Sequence, residues 1–160
     1  MMLSTKGRYA VMAMVDLASQ PQEKPVGLAA IAQRQEIPLA YLEQIFAKLK
    51  RADIVESSRG PGGGYKLAKP AEKTTISEII VAAEEDIEMT RCAVSDTPGC
   101  MQSNKARCLT HDLWEGLTRQ IEHYLESLTL ADVCARKVKE KFPRDTMFAK
   151  FIGEKGTASA

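Results

Sequence analysis

The stretch from Pro38 to Lys69, PLAYLEQIFAKLKRADIVESSRGPGGGYKLAK, changes its periodicity near Asp53, and that change decides the fold. Before it, Leu39, Leu42, Ile45, Phe46 and Leu49 recur at helical intervals and predict an amphipathic helix. Pro38 suits its first turn, where a missing N–H would have had no partner. Ala40, Tyr41, Glu43, Gln44, Lys48 and Arg51 fall largely on the outward face. After it, DIVESS and YKLAK are short β-type runs. The RGPGGG between them is rich enough in glycine to form a hairpin tip with positive φ angles.

Toward the N-terminus, residues 6–19 carry apolar side chains at Tyr9, Met12, Ala13, Val15 and Leu17, the pattern of a buried helix. Residues 20–25 form a polar turn. Residues 28–35 predict a short second helix with Leu28, Ile31 and Ala32 on one face. Helix, helix, helix, hairpin is the order of a winged helix-turn-helix module, spanning residues 1–70. A phosphate loop is the other reading of Gly60 to Gly64, but a Walker loop needs Gly-Lys-Ser/Thr opening a helix. Here the glycines lead into a Tyr-Lys-Leu strand. The net charge of +1 divides unevenly: residues 1–69 hold ten Lys and Arg against six Asp and Glu, residues 70–160 twelve against fifteen. The basic half is therefore the candidate for an anionic partner.

Downstream, Thr75 and Glu78 have capping-box spacing and open a helix through TISEIIVAAEE, within a connecting segment of residues 71–90. Residues 91–111 form a polar loop carrying Cys92, Cys100, Cys108 and His111. Thiols and an imidazole closing along the chain without an apolar period point to a metal centre. No secretory leader or membrane span is evident, so a cytosolic location is expected, where thiols stay reduced and clustered cysteines bind metal rather than pair. Residues 112–150 hold a long amphipathic helix with Trp114, Leu117, Ile121, Tyr124, Leu125 and Leu128 at threes and fours. A further helix capped by Thr129 follows. The long stripe exceeds what one small domain can bury, and pairing with a second copy is expected. Cys134 reads as a small core hydrophobe and His123 as exposed or interfacial. Residues 151–160 read as a disordered tail. The expected class is mainly α with a small β wing: a winged helix-turn-helix domain plus a long dimerisation helix.

The strings LSTKGRYAVMAM, YLEQIFAKLK, RGPGGGY, TRC and CLTHDLW, in this order, closely resemble the Rrf-two family of IscR-type transcription regulators, over about residues 1–130. The resemblance implies that Cys92, Cys100, Cys108 and His111 hold an iron-sulphur cluster, most often of two irons and two sulphides. One imidazole in place of a thiolate lowers the negative charge of the site and raises its reduction potential. Seven residues between successive cysteines exceed the spacing of the best-known members, which leaves nuclearity open. A nitric-oxide-sensing branch takes a carboxylate ligand from the first helix; Arg8 at that position argues against it. Ala40 stands where related reading helices often carry serine, so operator preference is expected to differ in detail.

The resemblance also implies a homodimer on a double-stranded DNA operator, with each third helix in a major groove and each wing along a minor groove. Tyr41, Glu43 and Gln44 would meet base edges, with Lys48 further along the same helix. Glu43 is either a specificity device or a plain exposed residue, and the resemblance favours the former. Arg59 would enter the minor groove beside Gly60, Pro61, Gly62 and Gly63. Lys6, Arg8, Lys50 and Arg51 are candidate phosphate contacts. A cluster-assembly scaffold is the expected cluster donor, and regulation could be repression or activation. The rival reading is a structural zinc in a DNA- or RNA-binding protein. No aromatic lies between Cys92 and His111 to stack a base, and neither histidine sits in a catalytic constellation.

Overall fold

A computed structural model describes residues 5–83 and 109–141. Cys92, Cys100, Cys108, the acidic run 84–88 and the tail 151–160 lie outside them. Three helices, α1 (Thr5–Ala18), α2 (Leu28–Gln35) and α3 (Leu39–Arg51), precede strands β1 (Val55–Ser58) and β2 (Gly64–Leu67). A 3-10 turn over Ala71–Lys73 leads to α4 (Ile76–Ala82), and α5 (His111–Ser127), α6 (Leu130–Cys134) and α7 (Val138–Lys141) follow. The strands pair antiparallel, Val55 opposite Leu67 and Ser58 opposite Gly64. The architecture is thus mainly helical with a two-stranded wing.

Helix α1 lies at the centre, touching α2, α3, α4, α6 and β2. That is why its apolar residues run round more than one face: Ala10, Ala13, Met14 and Leu17 are fully buried, while Tyr9, Met12 and Val15 pack at the margin. One core joins these to Ile31, to Leu42, Ile45, Phe46 and Leu49 of α3, and to Ile54 and Val55. It does not stop near residue 70. Ile76, Ile79 and Ile80 of α4, Leu125 and Leu128, and Leu130 belong to the same cluster.

The start of α3 and the end of α5 depart from the expected pattern. Pro38 is the N-cap of α3 rather than its first residue, and residues 38–40 are all exposed, so Leu39 projects from the core instead of into it. Leu125 and Leu128, counted with the partner-facing stripe, are buried in their own chain.

Asp16 is a buried charge inside the apolar pattern of α1. Its carboxylate accepts from Arg34 Nε at 3.0 Å and Nη2 at 2.5 Å, and from Gln35 Nε2 at 2.9 Å, fastening α2 to α1. Burial pushes its pKa up, but the hydrogen bonds and charge of Arg34, with the Gln35 amide, outweigh it, and the net shift is downward. A carboxylate depressed in the folded state contributes stability above its unfolded pKa, near pH 4, and loses it as pH falls through the folded value. Asp16→Asn is therefore expected to cost about 1–3 kcal/mol at neutral pH, and less as the pH falls below about 4. Urea denaturation from pH 7 to pH 3 checks this; a constant difference across that range would contradict it.

The return of the chain to the head is fixed by a short clamp. Thr75 and Thr129 form an isolated antiparallel bridge, with Ile76 N–H donating to Leu128 O at 2.9 Å and Leu130 N–H to Thr74 O at 2.8 Å. Each threonine also heads a capping box, Thr75 with Glu78 and Thr129 with Asp132, so the starts of α4 and α6 hold one another. Glu78 accepts from Lys69 Nζ at 2.5 Å, which ties the exit of the wing to α4.

Candidate nucleic-acid interface and metal-ligand helix

The outward face of α3 has Glu43, Gln44, Lys50 and Arg51 exposed, with Lys48 half-buried. Tyr41 is half-buried, and its ring meets that of Tyr9 edge-on, centroids 5.7 Å apart. Part of this expected base-reading residue is thus committed to packing α3 on α1. Lys50 Nζ donates to Ser57 Oγ at 2.6 Å, linking the end of the reading helix to β1. At the start of α1, Arg8 is exposed and Lys6 is half-buried.

The wing tip follows from its residue order. Gly63 N–H donates to Gly60 O at 2.8 Å across Pro61 and Gly62, and Gly62 has φ +78°. Proline second and glycine third are the residues a type II turn favours. Arg59, Gly60, Pro61 and Gly62 are all exposed, Gly63 half so. A Cβ on Gly63 would sit 2.5 Å from Ser58 O, so glycine is required where the tip folds over β1. The base is anchored by Tyr65, which exchanges backbone hydrogen bonds of 2.9 and 2.8 Å with Val26 and sets its ring 4.9 Å from Phe46. Lys66 Nζ adds a bond to Glu23 O. Wing and reading helix are thus joined by an apolar contact of Phe46 on Tyr65 and a polar one of Lys50 on Ser57.

Of the expected metal ligands, His111 is described. It is the first residue of α5 and only 6% exposed. Its Nε2 faces Glu115 Oε2 at 3.7 Å, and Glu115 Oε1 accepts from Arg119 Nη2 at 2.6 Å. The ligand atoms of His111, Asp112 and Glu115 all lie within 4.8 Å of one another. The sequence reading had no role for Asp112 or Glu115; the i, i+4 spacing of His111 and Glu115 was the available signal.

Beyond His111, α5 turns Thr118 and Leu125 inward. Leu113, Leu117 and Tyr124 remain 62%, 37% and 37% exposed, with Trp114 and Ile121 half-buried beside them. Single exposed apolar residues are ordinary, but these five stand in a row at helical spacing. His123 is exposed. Cys134 is half-buried, its Sγ 3.8 Å from Val15 O and from Ser19 Oγ, as expected of a packing thiol. No helix among the described residues is long and apolar enough to cross a membrane.

Comparison with known proteins agrees with this geometry. The family model Rrf2, described as an iron-dependent transcriptional regulator, matches residues 3–136. The HTH-type transcriptional regulator IscR of Yersinia pseudotuberculosis is 47% identical over 133 residues, covering 83% of this chain and 79% of that protein. The structure of T. potens IscR superposes with a TM-score of 0.66 at 34% identity, covering 93% of this chain and 96% of that one. CymR, the global cysteine regulator of B. subtilis, gives 0.69 at 31% identity, over 85% and 98%. The chain belongs to the Rrf2 family of DNA-binding transcription regulators, and its reading head is a winged helix.

Proposed function

We propose that this regulator senses an iron-sulphur cluster, most simply of two irons and two sulphides, held by Cys92, Cys100, Cys108 and His111. The observation that carries the reading is His111: an imidazole withdrawn from water at the first position of α5, on a helix whose far end is clamped to the reading head. Cys108 precedes it by three residues, a span of at most about 11 Å of chain, so one centre can take both. Thiolate and imidazole donors suit iron-sulphur chemistry, and the bound cluster would supply a redox-active, losable centre. The relative's name, IscR, and the family description favour iron.

The protein's own part is mechanical. Leu128 and Leu130 of the α5–α6 junction are hydrogen-bonded to Ile76 and Thr74, and α4 packs on α1 and α3. A change in how α5 sits is passed to the head through this joint. The stripe of Leu113, Leu117 and Tyr124 would meet the same stripe of a second copy, giving a homodimer on a two-fold double-stranded operator. A cytosolic location and a cluster-assembly scaffold as donor go with this reading. Protein prepared without oxygen is expected to be coloured and to carry iron and sulphide; colourless protein holding zinc would establish the structural-zinc alternative.

On DNA, Arg59→Ala is expected to cost about 1–3 kcal/mol on operators with narrow A/T-rich minor grooves. Lys50→Ala weakens all duplexes alike and lowers the salt slope by about one. Because Lys50 also holds Ser57, Ser57→Ala separates the loss of a phosphate contact from the loss of that link. Titrations at several salt concentrations on specific and random duplexes decide; the same profile for Arg59→Ala and Lys50→Ala would mean that the wing does not read groove shape.

A further inference from the structure

We infer that Glu115 is the positioning residue for His111: its carboxylate takes the ring N–H on Nε2 and so presents Nδ1 as the ligating nitrogen. This rests on the cluster reading above. Three observations support it. First, Nε2 is the nitrogen that faces the carboxylate, at 3.7 Å. Second, both side chains are largely withdrawn from water, 7% and 17% exposed, so their interaction is weakly screened. Third, the carboxylate is already held from its other side. Arg119 Nη2 donates to Oε1 at 2.6 Å, which leaves Oε2 turned toward the imidazole.

His111, Glu115 and Arg119 stand at i, i+4 and i+8 of one helix, so the alignment is set by α5 itself. Asp112 belongs to the same group of donors, but it is exposed, so water screens its charge more than that of Glu115. The separation of 3.7 Å is about 0.8 Å longer than a hydrogen bond, a gap that a small side-chain rotation closes when the ring is drawn to a metal. Metal-bound imidazoles hand their second N–H to a carboxylate or carbonyl, which fixes the tautomer and raises the basicity of the ligating nitrogen. A surface Glu–Arg pair alone would do neither.

The test uses the full chain loaded without oxygen, as wild type, Glu115→Gln, Glu115→Leu and Arg119→Ala, with circular dichroism to establish folding. Three quantities are read: the midpoint potential of the cluster, its rate of loss to a chelator, and the hyperfine coupling of histidine labelled at one ring nitrogen. Removing the negative carboxylate is expected to shift the potential positive in Glu115→Gln and further in Glu115→Leu. Loss should accelerate about tenfold or more in Glu115→Leu. Gln retains an acceptor and should recover most of the orientation, while Arg119→Ala, which removes a positive charge and keeps the carboxylate, should shift the potential slightly negative and speed cluster loss only slightly. The strong coupling is expected at labelled Nδ1. A folded, loaded Glu115→Leu with wild-type potential and loss rate overturns the inference, as does strong coupling at Nε2. Wild-type protein that holds no iron and sulphide overturns the cluster reading itself, and the inference with it.

Discussion

A Leu117→Glu, Tyr124→Glu double variant is expected to sediment as a monomer at micromolar concentration, and the wild-type chain as the dimer proposed above. Both side chains are on the exposed side of α5, and neither contributes to the buried core of its own chain. Placing a carboxylate at each position in two copies brings like charges together in a surface that would otherwise exclude water. The fold should survive, because Leu125, Leu128 and Leu130, which fasten this region to α1 and α4, are untouched. Affinity for a two-fold operator should fall about a hundredfold or more, since a second half-site bound through the same dimer gains from high effective concentration. Binding to a single half-site should change little. Leu125→Glu is the informative contrast: it buries a charge in the core and is expected to unfold the chain rather than separate the dimer. A double variant that still sediments as a dimer would place the interface elsewhere.

That contrast marks what the sequence makes legible. Local signals read well. The bounds of α2, the Thr75–Glu78 capping box, the N-cap at Thr129 and the glycine-dense tip between two strands each follow from residues a few positions apart. Periodicity also finds the stripe of α5, but it cannot divide that stripe between two partners. Leu125 and Tyr124 are neighbours in the pattern, yet one is buried on a helix that packs on α4 and the other faces out. Leu39 fits the helical period of α3 and is exposed, because the start of that helix stands clear of the core.

What is not legible is long-range and polar. Asp16 looks like an interruption in an apolar helix until Arg34 and Gln35 are seen to surround it. Nothing local announces that Val26 adds a single bridge to the wing, or that the Thr75 and Thr129 caps pair with each other, because one backbone pair leaves no periodic trace. Those two bridges connect the reading elements to the rest of the chain. The candidate site is divided in the same way. His111 could be picked out by residue type beside Cys108, while Glu115 offered only its i, i+4 spacing, a weak signal, since a glutamate four residues along a helix is ordinary until its carboxylate is found between an imidazole and a guanidinium.

The clamp also sets the expectation for removing the metal. Cys92→Ala should abolish the visible absorption of anaerobically prepared protein and change which operators are bound, while leaving the head folded. The core that supports α1, α3 and the wing is built from residues 10–83 and 125–130, and the clamp at Thr74 to Ile76 and Leu128 to Leu130 is made of backbone hydrogen bonds that use none of the four ligand residues. Loss of the cluster therefore acts on the start of α5, through His111, and reaches the head only as a change in how α5 is held. His111→Ala should leave a weaker, shifted spectrum, because water can take one position at the iron, and Cys134→Ala should leave it intact, since that thiol packs against α1. The comparison is one operator panel titrated with loaded wild type and with Cys92→Ala, each shown to be folded by circular dichroism. If both bind every operator with the same affinity, the centre is structural and the sensing mechanism is wrong. If Cys92→Ala discriminates poorly among operators but binds random duplex normally, the coupling runs through the geometry of the paired heads, because phosphate contacts from Lys50 or Arg51 do not depend on the spacing between two reading helices.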